Sequence, residues 1–169
     1  MENRNDPLIF IVEDNSIYNR LIMSHLRSHK FIRVESFLSG EECLKNIDRK
    51  PDIIIQDYLL DGMTGIDVLK ATKKKYPDTE FVFLSSQDNI EIAINSIKYG
   101  ACDYIVKDQH ALTKLTNKIN KIIADHEVVE TNKSFKNGVT YFIVAIITIT
   151  VIGIILSFFF PKTIAIFGL

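Results

Sequence analysis

Acidic side chains stand directly after two apolar runs that resemble buried strands. Glu13 and Asp14 follow the run 8–12, and Asp57 follows the run 53–56. If these strands are neighbours in one parallel sheet, their carboxyl ends meet at one edge and bring three carboxylates together. Crowded carboxylates raise one another's pKa unless a cation neutralises them, and Mg²⁺ prefers oxygen ligands. The pattern therefore predicts a magnesium site formed by Glu13, Asp14 and Asp57.

Two more predicted strands end in residues that suit a phosphoryl group. Ser85 and Ser86 follow one apolar run, and Lys107 follows another. A metal ion and an ammonium group offset the charge of a phosphoryl group, while a hydroxyl holds one of its oxygens. Asp57 is then placed to act as the nucleophile and form an acyl phosphate.

Each of these residues also has a purely structural explanation. Asp14 or Asn15 is a suitable helix N-cap, Ser85 could cap the next helix, and Lys107 could simply be solvated. Asp57 could open a turn. Their occurrence at the ends of the expected strands, in the expected order, favours the chemical interpretation.

The elements that position these residues alternate between strands and helices. Strand-like runs near 8–12, 34–38, 53–56, 81–84 and 104–106 are separated by segments with apolar residues at helical spacing. Three helices are indicated by Ile17, Leu21, Met23 and Leu26, by Ile66, Leu69 and Ala71, and by Ile90, Ala93, Ile94 and Ile97. The pattern predicts an α/β fold with a doubly wound, five-stranded parallel sheet of the flavodoxin-like order 2-1-3-4-5.

A fifth helix is predicted to begin near Gln109. It carries apolar residues in a 3-4-3-4 spacing, whose first half we expect to pack on the sheet. The part after about Ile123 is free to serve as a linker or as the contact of a homodimer, because the spacing also fits a short coiled coil.

The end of the chain has a different composition. No charged residue lies between Lys136 and Lys162. An apolar helix over 139–161 would be just over 30 Å long, enough to span a bilayer at about 1.5 Å per residue. We therefore expect a domain at 1–126, a juxtamembrane linker at 127–138, a single transmembrane helix at 139–161 and a short tail at 162–169.

The charge distribution and the cysteines limit the location and the partners that we expect for this chain. The basic residues Lys133 and Lys136 favour a cytoplasmic N-terminal domain attached to the cell membrane, and no export signal precedes it. All 21 acids and all but one of the 20 Lys and Arg residues precede the apolar segment, so the domain is slightly acidic and nucleic acid is not an expected partner. Cys43 and Cys102 lack metal-ligand spacing and are expected to be reduced thiols.

Over residues 7–126 the chain resembles the receiver domain of two-component response regulators. The motifs that carry the resemblance are Ile11-Val12-Glu13-Asp14-Asn15, Asp57-Tyr58-Leu59-Leu60-Asp61-Gly62-Met63-Thr64-Gly65, Phe83-Leu84-Ser85-Ser86 and Gly100-Ala101-Cys102-Asp103-Tyr104-Ile105-Val106-Lys107. The resemblance implies that Asp57 accepts the phosphoryl group. It also implies that Asp14 and the backbone carbonyl of Leu59 bind Mg²⁺ directly, with Glu13 acting through water.

The same resemblance implies a switch. Ser85 would move toward the phosphoryl oxygen, Tyr104 would turn into the vacated space, and Lys107 would contact the phosphoryl group. Three departures from the family pattern bear on this: Asp108 stands where Pro is usual, serine replaces the commoner threonine at position 85, and Leu59 and Gln87 occupy positions that tune access of hydrolytic water.

The expected function is a membrane-anchored, single-domain response regulator rather than an enzyme in the usual sense. It would accept phosphate from a sensor histidine kinase or a phosphotransfer protein and signal to an effector protein through contacts, since no output domain follows. Two alternatives stay open: a non-catalytic membrane scaffold, and a phosphate sink without an effector of its own.

Overall fold

A computed structural model describes residues 6–159, with the side chains of all of these except 129–137 and 157–159. The elements are β1 (Ile9–Val12), α1 (Ser16–Ser28), β2 (Val34–Phe37), α2 (Gly40–Lys45), a 3₁₀ turn (Ile47–Arg49), β3 (Ile53–Gln56), α3 (Gly65–Lys75), β4 (Glu80–Ser85), α4 (Ile90–Lys98), β5 (Asp103–Val106) and α5 (Ala111–Phe159). The five strands form one parallel sheet of order β2-β1-β3-β4-β5, which confirms the predicted fold class.

The sheet is buried on both faces, as the apolar strands require. Alternate strand residues such as Ile11 and Ile55 pack with α1 and α5, and the intervening residues such as Phe10 and Ile54 pack with α2 and α3. Burying one such side chain stabilises the folded state by about 1.5–3 kcal/mol. This core fixes the strand register and therefore the positions of the residues that follow the strands.

In two helices, several residues marked by the apolar spacing do not face the core. In α1 the buried residues are Asn19, Ile22 and Leu26, whereas Ile17 is 73% exposed. In α4 the only buried residue is Ser96, and Ile90, Ile94 and Ile97 are exposed. Apolar spacing identified the helices correctly, but it does not tell whether the apolar face is covered by the sheet.

One element boundary differs from that expected. The third strand begins at Ile53, as predicted, and the second helix ends at Lys45, where the 3₁₀ turn follows. The fifth helix begins at Ala111 rather than near Gln109, because Asp108 closes a turn by accepting the backbone N–H groups of His110 and Ala111. Its first half packs on the sheet through Leu115, Ile119 and Ile122, as predicted.

Contacts divide the chain into two units, with the boundary after Ala124. In the second unit the segment predicted as a linker is helical, and α5 reaches Phe159. Within the described residues, one segment, Gly138–Leu156, is long and apolar enough to cross a membrane, and none of it is buried. The predicted helix end at Pro161 and the tail 162–169 lie outside the described residues.

Candidate functional site

The strand register brings the predicted acids together. Val12 pairs with Gln56 across β1 and β3, so Glu13 and Asp57 leave the sheet side by side. The N–H of Asp57 donates to the carbonyl of Val12 at 2.8 Å, which extends this pairing by one residue. One carboxylate oxygen from each of Glu13, Asp14 and Asp57 lies within 4.8 Å of the other two.

Lys107 reaches the same point from β5. Ser85 pairs with Val106, and the N–H of Lys107 donates to the carbonyl of Ser85 at 2.8 Å. Its ammonium group lies 2.7 Å from an oxygen of Glu13 and 2.7 Å from an oxygen of Asp57. The Lys107 side chain is only 12% exposed, so these contacts form in a largely dehydrated setting where charge interactions are strong.

Backbone groups donate to two further carboxylate oxygens of the site. Asp57 Oδ1 accepts the N–H of Leu59 at 3.3 Å, and Asp14 Oδ2 accepts the N–H of Asp61 at 3.2 Å. Gly65 is required at the start of α3, because a Cβ atom there would lie 2.5 Å from the carbonyl oxygen of Asp57. The loop after β3 is therefore packed closely against the acids.

The charge balance of the site is incomplete without a further cation. One ammonium group faces three carboxyl groups. Burial, with a smaller contribution from Asp57, raises the pKa of Glu13 to about 7, despite the hydrogen bond from Lys107. The hydrogen bonds to Asp57 and Glu13 outweigh burial for Lys107 and raise its pKa, so it stays charged. The donor set is all oxygen and fits Mg²⁺.

The acids border a cleft of about 390 Å³. Its lining comprises Glu13, Asp14, Asn15, Tyr18, Asp57, Ser86 and Lys107. Tyr18 is an addition that the strand-end argument did not name, whereas Ser86 was named there together with Ser85. Asn15 is the N-cap of α1, since its side chain accepts the N–H groups of Ile17 and Tyr18, which leaves Asp14 available to the site.

Ser85 and Tyr104 both contact the loop that follows β4. Ser85 is fully buried at the end of β4, and its hydroxyl accepts the N–H of Gln87 at 3.1 Å. Tyr104 is half-buried, and its hydroxyl donates to the carbonyl of Gln87 at 2.6 Å. Both side chains therefore hold the same residue of the loop between β4 and α4.

Comparison with known proteins gives a consistent family. Residues 9–120 match the response regulator receiver domain. The chain is 31% identical over 128 residues to the regulatory protein LuxO of Vibrio cholerae, and 34% identical over 102 residues to a putative NtrX-like response regulator of Rickettsia typhi. The chain belongs to the response regulator receiver family.

Solved receiver structures share the fold. The signal receiver domain of a putative LuxO repressor protein from Vibrio parahaemolyticus superposes with a TM-score of 0.67 at 22% identity, covering 74% of this chain and 95% of that domain. A putative response regulator from Chloroflexus aurantiacus superposes with a TM-score of 0.63 at 27% identity, covering 70% of this chain and 98% of that protein.

The two curated relatives are much longer proteins. The match covers 75% of this chain but 28% of the Vibrio cholerae protein, and 59% of this chain but 21% of the Rickettsia protein. The likeness is therefore one of receiver domains. Receiver domains are phospho-accepting signalling switches that bind Mg²⁺ through acidic residues, which in this chain form the cluster of Glu13, Asp14 and Asp57.

We predict that Mg²⁺ binding to this receiver releases a proton near neutral pH. The raised pKa of Glu13 means that its neutral form predominates below about pH 7 when no cation is bound. A cation favours the charged form, so affinity should fall as pH decreases through 7, by about tenfold between pH 8 and pH 6. Calorimetric titration in buffers of different ionisation enthalpy measures both the affinity and the proton released.

Glu13→Gln is the control for this prediction, because an amide of the same shape does not titrate in this range. Its Mg²⁺ affinity should be lower than that of the parent and nearly independent of pH between 6 and 8. A parent affinity that is equally flat over this range would contradict the assignment of the titrating group to Glu13.

Proposed function

We propose that this chain is a membrane-anchored receiver that accepts a phosphoryl group on Asp57 and changes its protein contacts in response. The observation that carries the proposal is the ammonium of Lys107 held at 2.7 Å from Asp57 in a cleft lined by two further acids. The phosphoryl donor is a sensor histidine kinase or a phosphotransfer protein, the two partner types with which receiver domains interact.

Asp57 supplies the nucleophile. One of its carboxylate oxygens forms a bond to phosphorus while the phosphorus–nitrogen bond of phosphohistidine breaks, and the electron pair of the broken bond returns to the imidazole. The imidazole departs neutral when its other nitrogen carries a proton. Lys107 stays charged and meets the developing negative charge on the phosphoryl oxygens.

Glu13, Asp14 and Asp57, with the backbone carbonyl of Leu59, are the groups proposed to hold Mg²⁺. The bound ion supplies positive charge to the phosphoryl oxygens. Mg²⁺ would also relieve the excess of carboxylates over ammonium groups, which is the electrostatic feature that supports this assignment. The same charge excess argues against a permanently inactive scaffold, since such a protein has no need to keep buried acids crowded together.

The switch residues act through the loop after β4. Movement of the Ser85 hydroxyl toward a phosphoryl oxygen would release the N–H of Gln87, and Tyr104 shares the same residue through its hydrogen bond to the Gln87 carbonyl. α4 follows this loop and has Ser96 as its only buried residue, so little core packing resists its displacement. The effector is proposed to recognise the resulting change in the surface around α4 and β5.

The segment Gly138–Leu156 is proposed to anchor the protein in the cell membrane by a single pass, with the receiver in the cytoplasm. Support comes from its length, from the absence of charged residues and from the exposure of its apolar side chains. Lys133 and Lys136 on the N-terminal side favour this orientation.

We predict tight binding of beryllofluoride, a phosphoryl mimic, to the full-length protein in the presence of Mg²⁺. The fluoride atoms would occupy the positions of phosphoryl oxygens next to Lys107. Fluorescence of the tyrosines provides a titration signal, since the chain has six tyrosines and no tryptophan. Asp57→Asn should abolish both this binding and the transfer of labelled phosphate from a phosphorylated histidine kinase.

Asp52→Asn is a matched control, because it makes the same substitution at an exposed acid at the opposite edge of the sheet. It should bind beryllofluoride like the parent. Failure of the parent to bind would support the scaffold alternative. Binding followed by rapid phosphate loss, with no partner captured in a phosphorylation-dependent way from membranes, would support the phosphate sink.

We further predict that Leu59 slows loss of the phosphoryl group. Leu59 lies two residues after Asp57 and is 55% exposed, so its apolar side chain can shield the acyl phosphate from water. Leu59→Asn should therefore increase the autodephosphorylation rate several-fold, measured by loss of labelled phosphate after the donor is removed. Leu59→Met preserves apolar bulk and serves as the control, and an unchanged rate in Leu59→Asn would refute the shielding role.

The membrane anchor leads to a separate prediction. Replacing Ile146 and Ile149 by lysine should move the protein from the alkali-resistant membrane fraction to the soluble fraction, because each lysine near a helix centre costs about 2.5–3.5 kcal/mol of insertion free energy. Ile32→Lys changes a similarly exposed isoleucine in the receiver unit and should leave the protein in the membrane. Solubility of the parent under these conditions would exclude the anchor.

A further inference from the structure

Lys107 has a third close neighbour besides its two carboxylates. Its ammonium nitrogen lies 4.7 Å from the centre of the Tyr18 ring, within the distance at which a cation is attracted to an aromatic face. The same tyrosine lines the cleft that contains Asp57. The ring, the ammonium and the two carboxylates therefore form one cluster.

The position of Tyr18 is fixed from two sides. Its backbone N–H donates to the capping side chain of Asn15 at 3.1 Å, which sets the first turn of α1 directly after the acidic pair. Its ring is partly buried and packs against the core cluster that includes Ile9 and Ile11. Burial also raises the pKa of Tyr18, so the ring stays neutral. A ring held in this way can restrict a neighbouring side chain rather than follow it.

A lysine side chain needs such a restriction more than the other groups of the site. The carboxylates sit on or next to strand ends, whereas the ammonium of Lys107 lies at the end of four rotatable bonds. Two carboxylates attract it, and a cation that displaced it from Glu13 would leave only Asp57 as an ionic partner. The Tyr18 ring contacts the ammonium without competing for the oxygens of Asp57 or for a metal ion.

We propose that Tyr18 is a positioning residue that holds the ammonium of Lys107 beside Asp57 through the face of its ring. This inference rests on the proposed phosphoryl-accepting function, because the positioned ammonium is the group that meets the phosphoryl oxygens. The ring itself takes no part in bond making or breaking. Its effect is to keep Lys107 oriented toward the cleft when the partners of the ammonium change.

The test compares Tyr18→Leu, Tyr18→Met and Tyr18→Phe in the full-length protein in detergent. Phenylalanine keeps the ring face and removes only the hydroxyl, whereas leucine and methionine keep apolar bulk without a ring. With saturating Mg²⁺, beryllofluoride affinity should fall about fivefold in the leucine and methionine variants and stay within twofold of the parent in Tyr18→Phe. Using both variants covers the case in which one of them fails to fold.

Tyr76→Leu is the matched control. The Tyr76 ring also lies near an ammonium, that of Lys75 at 5.5 Å, but at the C-terminal end of α3, at the other edge of the sheet. This variant should bind beryllofluoride like the parent. If removal of a tyrosine acted through a general loss of stability, the beryllofluoride affinity would fall in both Tyr76→Leu and Tyr18→Leu. If Tyr18 positions Lys107, the affinity falls only in the Tyr18 variants.

A second measurement detects the contact itself. With isotope-labelled lysine, the ε-methylene protons of Lys107 should be shifted upfield by the ring in the parent and in Tyr18→Phe, but not in Tyr18→Leu. The resonance is assigned by its absence in Lys107→Arg. This measurement needs no phosphoryl mimic, so it tests the contact even if the parent does not bind beryllofluoride. Absence of beryllofluoride binding by the parent would overturn the proposed function and, with it, the positioning role.

Two results would overturn the positioning role while leaving the proposed function intact. One is parent-like affinity in Tyr18→Leu and Tyr18→Met. The other is an equal loss in Tyr18→Phe, which would assign the effect to the hydroxyl and not to the ring face.

Discussion

The site depends on the placement of one ammonium group between two buried carboxylates. Lys107 contacts Glu13 and Asp57 at the same distance of 2.7 Å. Removing the ammonium group or a carboxylate would leave a poorly compensated charge in a largely dehydrated position, which is strongly unfavourable. A third carboxylate, that of Asp14, is close to both acids and is not balanced by this lysine. The lysine therefore compensates part of the negative charge, and the arrangement still favours the addition of positive charge.

The sheet supplies the rigidity that this arrangement needs. Glu13, Asp57 and Lys107 each follow a strand, and the first backbone N–H beyond each strand is bonded to the neighbouring strand. Apolar clusters on both faces hold those strands in register. α4 differs, because it has little buried surface and follows the loop that Ser85 and Tyr104 both hold. The site thus combines rigidly held acids with a loosely packed helix, a combination that would let a local charge change alter the surface around α4.

The sequence was sufficient to predict the sheet order, because alternating strands and helices of this length are typical of the flavodoxin-like fold. It also predicted the convergence of the acids, because parallel strands have their carboxyl ends at one edge of the sheet. It was insufficient for the orientation of α4, since the spacing of Ile90, Ile94 and Ile97 shows that they share a face but not whether another element covers it. Tyr18 was missed for a related reason. In the sequence it is one aromatic residue in a helix, and only the three-dimensional path of Lys107 brings a cation to its ring.

Asp108 is the departure from the family pattern that most directly concerned the site, because it adds a negative charge one residue after Lys107. Its carboxylate accepts the N–H of His110 at 2.8 Å and contacts the ammonium of Lys114 at 2.7 Å. These contacts, the one with Lys114 foremost, lower the pKa of Asp108, so it is charged at neutral pH. A negative charge at the N-terminal end of a helix is favourable, and here it precedes the first turn of α5. The residue that replaces proline thus contributes to the start of α5, and its carboxylate contacts that helix rather than the ammonium of Lys107.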